Sequence, residues 1–164
     1  MLRHLSVLAL MLLSLAMVVP SAAQAGTVIA NPAVVFEGNA RDQIVTLHNQ
    51  GQAPVTYRIA TSPLLRQPDG TYADPPPDTT LPATEDTSTF VRFSPRQVTV
   101  PPGGYQSIKL SLRKPAELPP GEYRLALTIL ELADQESLDK LAATGSLVVG
   151  VQIAHRLTIR IKHQ

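Results

Sequence analysis

The sequence predicts an all-β protein, an immunoglobulin-like β-sandwich of about seven strands, and three observations carry that prediction. Apolar and polar residues alternate with a period of two in segment after segment, the pattern of strands with one buried face. Turn clusters separate these segments, among them Pro68-Asp69-Gly70, Pro101-Pro102-Gly103-Gly104 and Pro119-Pro120-Gly121. Fifteen prolines are spread over 164 residues, fourteen of them after Pro20, which leaves little room for a long helix. Short strands between turn signals, without helix-length repeats, fit a sandwich.

Residues 1–25 read as a cleaved signal peptide. Arg3 and His4 form a short basic start, Leu5 to Val19 is an apolar run broken only by Ser6 and Ser14, and Ala23-Gln24-Ala25 fits a small-x-small cleavage site. A helix over that run would rise about 22 Å, short of a hydrocarbon core of roughly 30 Å. No later segment is apolar enough to span a bilayer. The predicted mature domain is residues 26–164, exported to the periplasm.

The strands follow in order. Thr27 to Phe36 is apolar with a break at Asn31-Pro32. Gln43 to His48 carries Ile44, Val45 and Leu47 and closes at the turn residues Asn49-Gln50-Gly51. Val55, Tyr57 and Ile59 alternate with Thr56, Arg58 and Ala60. Residues 66–88, with Pro75-Pro76-Pro77, read as a long exposed loop. Phe90 to Phe93 and Gln97 to Val100 are short extended pieces interrupted by Ser94-Pro95. Ile108, Leu110 and Leu112 alternate with polar residues, as do Tyr123, Leu125, Leu127 and Ile129. Tyr123, after Pro119-Pro120-Gly121, is either a tyrosine-corner residue or an ordinary core tyrosine. Residues 133–145 hold one or two helical turns around Glu136 to Ala143. The last strand is the longest: Leu147, Val149, Val151, Ile153, His155, Leu157, Ile159 and Ile161 take every odd position. In its first half the even face carries Val148, Gly150 and Ala154, apolar enough to serve as the core side.

Composition excludes several functions. There is no cysteine, so there are no disulfides, thiolate nucleophiles or Cys-ligated metals. Without Arg3, thirteen basic residues balance thirteen acidic ones, against the clustered basic excess that nucleic-acid binding requires. His48, His155 and His163 lack the spacing of a metal pair, and neither a phosphate-binding glycine loop nor a nucleophile elbow occurs. Asp134, Glu136 and Asp139 cluster without the order of a calcium loop and read as a solvated loop. The sequence therefore predicts no enzyme activity and no cofactor.

Several stretches resemble the N-terminal domain of PapD-like periplasmic pilus chaperones. Ala33-Val34-Val35-Phe36-Glu37-Gly38 followed by Arg41 to Asn49 resembles the family's first two strands, including its T-L-x-N pattern at Thr46 to Asn49. Phe90 to Arg96 followed by Val100 to Leu110 resembles its turn-and-strand pair. Leu118 to Arg124 is similar to the approach to its penultimate strand, and the alternating last strand completes the match over nearly all of residues 27–162.

The resemblance implies an ATP-independent chaperone for pilus (fimbrial) subunits. Such a chaperone caps an incomplete subunit fold by donating its last strand, and Leu147, Val149, Val151 and Ile153 would be the client-binding row. Its partners would be secreted pilus-type subunits and, in the family, an outer-membrane usher. An uncovered apolar edge also predicts self-association. The same residues could instead face this chain's own core, in a periplasmic immunoglobulin-like structural or interaction module. Two departures stand out. Where relatives carry a carboxylate-clamping Arg and Lys, this chain has Ala33 and Thr158, and Arg156 and Arg160 flank the latter as candidate replacements. Relatives also have a second domain, whereas this sequence ends after the first.

Overall fold

A computed structural model describes residues 26–132 and 153–164. The predicted signal peptide, the helical turn and acidic loop of 133–145, and Leu147, Val149 and Val151 lie outside the described residues.

Among the described residues ten strands are formed: β1 (Thr27–Ala30), β2 (Val34–Phe36), β3 (Asp42–Asn49), β4 (Val55–Arg66), β5 (Tyr72–Ala73), β6 (Val91–Ser94), β7 (Gln97–Val100), β8 (Tyr105–Leu112), β9 (Gly121–Leu132) and β10 (Ala154–His163). One sheet has the order β1-β3-β8-β6; the other runs β2-β10-β9-β4-β5, with β7 also paired to β4. The two sheets make the predicted immunoglobulin-like sandwich. The count exceeds seven because Thr27–Phe36 and the pieces either side of Ser94-Pro95 each divide between the sheets, and because β5 forms within the segment read as a loop. Asn31 takes a left-handed conformation (φ 58°) beside Pro32, which has no N–H to give a ladder, and the chain crosses from β1 in one sheet to β2 in the other. Ser94-Pro95 does the same between β6 and β7.

The alternating residues fill the core. Val45, Leu47, Ile108 and Leu110 come from the first sheet, and Tyr57, Ile59, Leu125, Leu127, Ile129, Ile159 and Ile161 from the second. Ile44 is exposed, as its parity in β3 requires. The Asn49 side chain holds the β3–β4 turn: its amide donates to the carbonyls of Ala53 (2.8 Å) and Val100 (3.0 Å), and its oxygen accepts the Gly51 N–H at 2.9 Å. The Tyr123 hydroxyl donates to the Pro119 carbonyl at 2.8 Å, which is the tyrosine-corner arrangement.

The segment 66–88 is less of a loop than its composition predicts. β4 continues to Arg66 and β5 pairs back onto it, Leu65 opposite Ala73 and Arg66 opposite Tyr72. At the far end of the segment, Thr87 is buried. Its hydroxyl donates to the Arg124 carbonyl at 2.7 Å and accepts the Leu64 N–H at 3.3 Å, joining β9 to β4 where the strands part. The adjoining Phe90 is fully buried and meets Tyr123 edge-on at 5.9 Å.

Candidate functional site

The last strand is covered unequally on its two sides. β10 pairs antiparallel with β9 along its whole length, from Ala154 opposite Leu130 to His163 opposite Gly121. On its other side β2 runs parallel to it only over Ile159 to Ile161. Among the described residues, 154–158 therefore form an open strand edge, with backbone groups available to a further strand. The ladder to β9 extends one step upstream, since the Glu131 N–H donates to the Ile153 carbonyl at 2.9 Å.

The inward face of β10 changes character along the strand. Leu157, Ile159 and Ile161 are buried in the core. His155, the next inward residue, is half-buried, and its Nε2 lies 3.1 Å from Glu131 Oε1. The same carboxylate oxygen accepts the Thr27 hydroxyl at 2.5 Å, and the Thr27 and Tyr57 hydroxyls are 2.7 Å apart. Burial, above all, pushes the Tyr57 phenol pKa up. This polar cluster closes the end of the core. Beyond it Ile153, on the same face, is 52% exposed.

One expectation is corrected here. Ala154 is exposed and the even face of β10 points outward, so Ala154 does not serve as a core residue; Val148 and Gly150 lie outside the described residues. A strand has one parity, and Leu157, Ile159 and Ile161 commit the odd face inward. Ile153 escapes burial because it lies past the end of the core, not because it is on the other face.

The two candidate anchors lie on the outward face, either side of exposed Thr158, and each already holds a carboxylate of this chain. Both Nη atoms of Arg156 donate to the two oxygens of Asp74, Nη1 to Oδ2 at 2.8 Å. That hydrogen bond, more than the charge, holds the Asp74 carboxyl below its ordinary pKa. Arg160 Nη2 lies 3.3 Å from Glu122 Oε2, while Glu122 Oε1 is gripped by Arg124 at 2.6 Å. Hydrogen bonds from Arg124 and then Arg160 lower the Glu122 pKa. The Arg124 guanidinium stacks over the Tyr72 ring at 4.3 Å. Asp74, Glu122 and Glu131 were not singled out from the sequence. The first two sit in a loop and beside a turn, with no local pattern tying them to the last strand.

No protein-family profile and no curated protein matches the sequence. Solved structures do match in shape. A chain from the chaperone–tip adhesin complex of CFA/I fimbriae biogenesis superposes with a TM-score of 0.59 at 15% identity, covering 85% of this chain and 57% of that one. The periplasmic chaperone SfaE gives 0.57 at 7% identity, covering 85% and 58%. A PapD-like domain of human CEP192 gives 0.53 at 13% identity, covering 86% and 87%. The fold is PapD-like. The chain thus spans a little over half the length of the first two matched chains and nearly all of the CEP192 domain. At these identities the likeness is one of fold. No helix among the described residues of the PapD-like domain is long and apolar enough to cross a membrane.

Proposed function

We propose that this chain is a periplasmic, ATP-independent chaperone for pilus-type subunits that caps an incomplete subunit fold by donating its last β-strand. The observation that carries this reading is the edge of β10, open over 154–158 among the described residues and headed by exposed Ile153. The inward row of that strand runs out of its own core at His155. Ile153, which continues the row, has no core among the described residues to fill and is available to a groove in another protein. Leu147, Val149, Val151 and Ile153 are the client-binding row of this proposal. Strand addition would supply main-chain hydrogen bonds for affinity and pockets at every second residue for register. Each aliphatic side chain buried would contribute about 1.5–3 kcal/mol before ordering costs. Arg156 and Arg160 are the proposed carboxylate anchors.

The test is the double variant Val149→Thr/Val151→Thr, which keeps β-branching and removes apolar burial. It should fold normally and fail to retain periplasmic subunits in a pull-down. Lost stability with retained partner binding would place the row in this chain's own core. The alternative, a periplasmic immunoglobulin-like interaction module without a client cycle, is favoured by one specific observation, the near-complete two-way coverage of a PapD-like domain outside the fimbrial chaperones.

A further inference from the structure

We propose that Thr79 and Thr80 form an acceptor site for O-linked glycosylation, a covalent modification that would place neutral sugar on the proline-rich segment between β5 and β6. The inference goes beyond strand addition and uses none of the proposed client-binding residues.

The sequence marks the segment first. Residues 75–89 hold Pro75-Pro76-Pro77, Pro82 and six hydroxyl side chains, those of Thr79, Thr80, Thr84, Thr87, Ser88 and Thr89. Stretches rich in Ser, Thr and Pro are acceptors of O-linked sugar, since proline keeps the backbone extended and solvated and the hydroxyls within reach of an enzyme.

The structure then sorts the six hydroxyls. Three are committed to the fold. Thr87 is buried and its hydroxyl joins Arg124 to Leu64. Ser88 donates to the Asp86 carboxylate at 2.5 Å, and Thr89 donates to the Asp86 carbonyl at 2.8 Å. Thr79, Thr80 and Thr84 are exposed, and their hydroxyls have no hydrogen-bond partner among the described residues.

Backbone geometry separates these last three. Thr84 sits in a tight turn, where the Glu85 and Asp86 N–H groups both donate to the Pro82 carbonyl at 2.9 Å. An enzyme would have to open that turn to lay the chain along its own site. Thr79 and Thr80 lie in neither helix nor strand. The Thr79 N–H makes one long bond, to the Pro76 carbonyl at 3.3 Å, and among the described residues the backbone of Thr80 and Leu81 makes none. Leu81 is the one half-buried residue of 79–84, and it lines a hollow with Ser62 and Pro63 of β4. Two exposed, uncommitted hydroxyls therefore stand on backbone that an enzyme can pair with. The segment is pinned on either side, by Asp74 on Arg156 and by buried Thr87 and Phe90, so an adduct between these anchors displaces no core contact.

Charge selects the kind of adduct. Asp78 adjoins the pair, Asp74, Glu85 and Asp86 flank it, and residues 67–91 contain no Lys or Arg. A phosphoryl group would add about 1.5–2 negative charges to this acidic stretch, whereas a neutral sugar adds none. In the transfer, threonine Oγ bonds to the anomeric carbon of an activated sugar carried on a phosphate or diphosphate. The sugar–phosphate bond breaks, the phosphate leaves with the electron pair, and the hydroxyl proton passes to a base of the transferring enzyme.

The experiment takes the full-length chain, produced in the cell it comes from, and reads the exported protein by intact-mass spectrometry and by electron-transfer fragmentation, which keeps a sugar on its residue. The mature chain should carry added saccharide mass, all of it on Thr79 or Thr80. Thr79→Val/Thr80→Val should lose that mass and keep the native circular dichroism spectrum, because both side chains are exposed. Thr79→Ser/Thr80→Ser should retain it, and Thr84→Val should leave it unchanged. An unmodified mass, saccharide confined to another residue, or a phosphoryl increment on the pair would each overturn the inference. The same spectra give the amino terminus. An unmodified chain beginning at Gly26 leaves the export and strand-addition readings standing, and one beginning at Met1 overturns the export reading as well.

Discussion

Replacing Ile153 by threonine separates a client-facing row from a core row in one measurement. In the structure Ile153 is 52% exposed, whereas Ile159, on the same face six residues along, is fully buried. A fully buried isoleucine contributes about 1.5–3 kcal/mol by transfer, so half-burial is worth about 1 kcal/mol, and threonine retains part of it. Ile153→Thr should therefore lower the unfolding free energy by less than about 1 kcal/mol. Ile159→Ala, the reference, should lower it by about 2–5 kcal/mol because it also leaves a cavity. Client binding should behave in the opposite way. If Ile153 enters a subunit groove, the variant loses apolar burial there and places a hydroxyl in an apolar site, which costs about 1–3 kcal/mol on protein scales. Affinity should drop about tenfold or more. Urea titration gives the stability and retention of subunits on the immobilised chain gives the binding. Equal destabilisation by the two substitutions would show that Ile153 belongs to the core in solution. Unchanged capture by a stable Ile153→Thr variant would remove Ile153 from the client row.

Three further outcomes are expected. Amino-terminal sequencing of exported protein should begin at Gly26; a retained chain still beginning at Met1 would contradict the signal-peptide reading. Tyr123→Phe should cost about 0.5–1 kcal/mol in urea unfolding, since it removes the bond to the Pro119 carbonyl while the ring keeps its contact with Phe90; no change would mean that water replaces the bond without loss. Asp42, Asp69, Asp74 and Glu122 all have carboxyl pKa values lowered in the fold, chiefly by hydrogen bonds from Ser111, Thr71, Arg156 and Arg124 respectively. Groups with depressed pKa values stabilise the fold fully above their unfolded values, near 3.8 for Asp and 4.5 for Glu, and lose that contribution as pH falls through the folded values. Thermal stability should thus decline below about pH 4.5, and a melting temperature that rises on acidification through this range would contradict the sign.

Local patterning determined much of this protein. The strands β3, β8, β9 and the described part of the last strand were legible because side chains in a strand take alternate faces, so a period of two in the sequence is a period of two in space. The turn at Pro119-Pro120-Gly121 was legible because it acts within a few residues of itself, and the local half of the Asn49 turn likewise, whereas the bond from Asn49 to Val100 reaches across 51 residues. Tertiary structure alone decided which sheet each strand joins. Nothing in Asn31-Pro32 or Ser94-Pro95 says that the chain changes sheets there, because the partners that receive it, β10 and β4, are remote in sequence. It also decided that β4 runs on beyond the Val55 to Ala60 alternation, through Pro63 to Arg66. Thr87 reads as part of a polar loop and Phe90 as the start of a short extended piece, and contacts with β4 and β9 make the first a bridge and the second a core residue. The last strand shows the division most plainly. Alternation placed Ile153, Leu157 and Ile159 on one face, and it could do no more, since periodicity reports direction and not what lies in that direction. Only the packed sandwich sets where its core ends, at His155 and Glu131, and so which members of one row are buried and which is left at the surface. The pairing of Arg156 with Asp74 follows the same rule: charge is written in the sequence, but a contact across 82 residues exists only once the sheet has brought the two together.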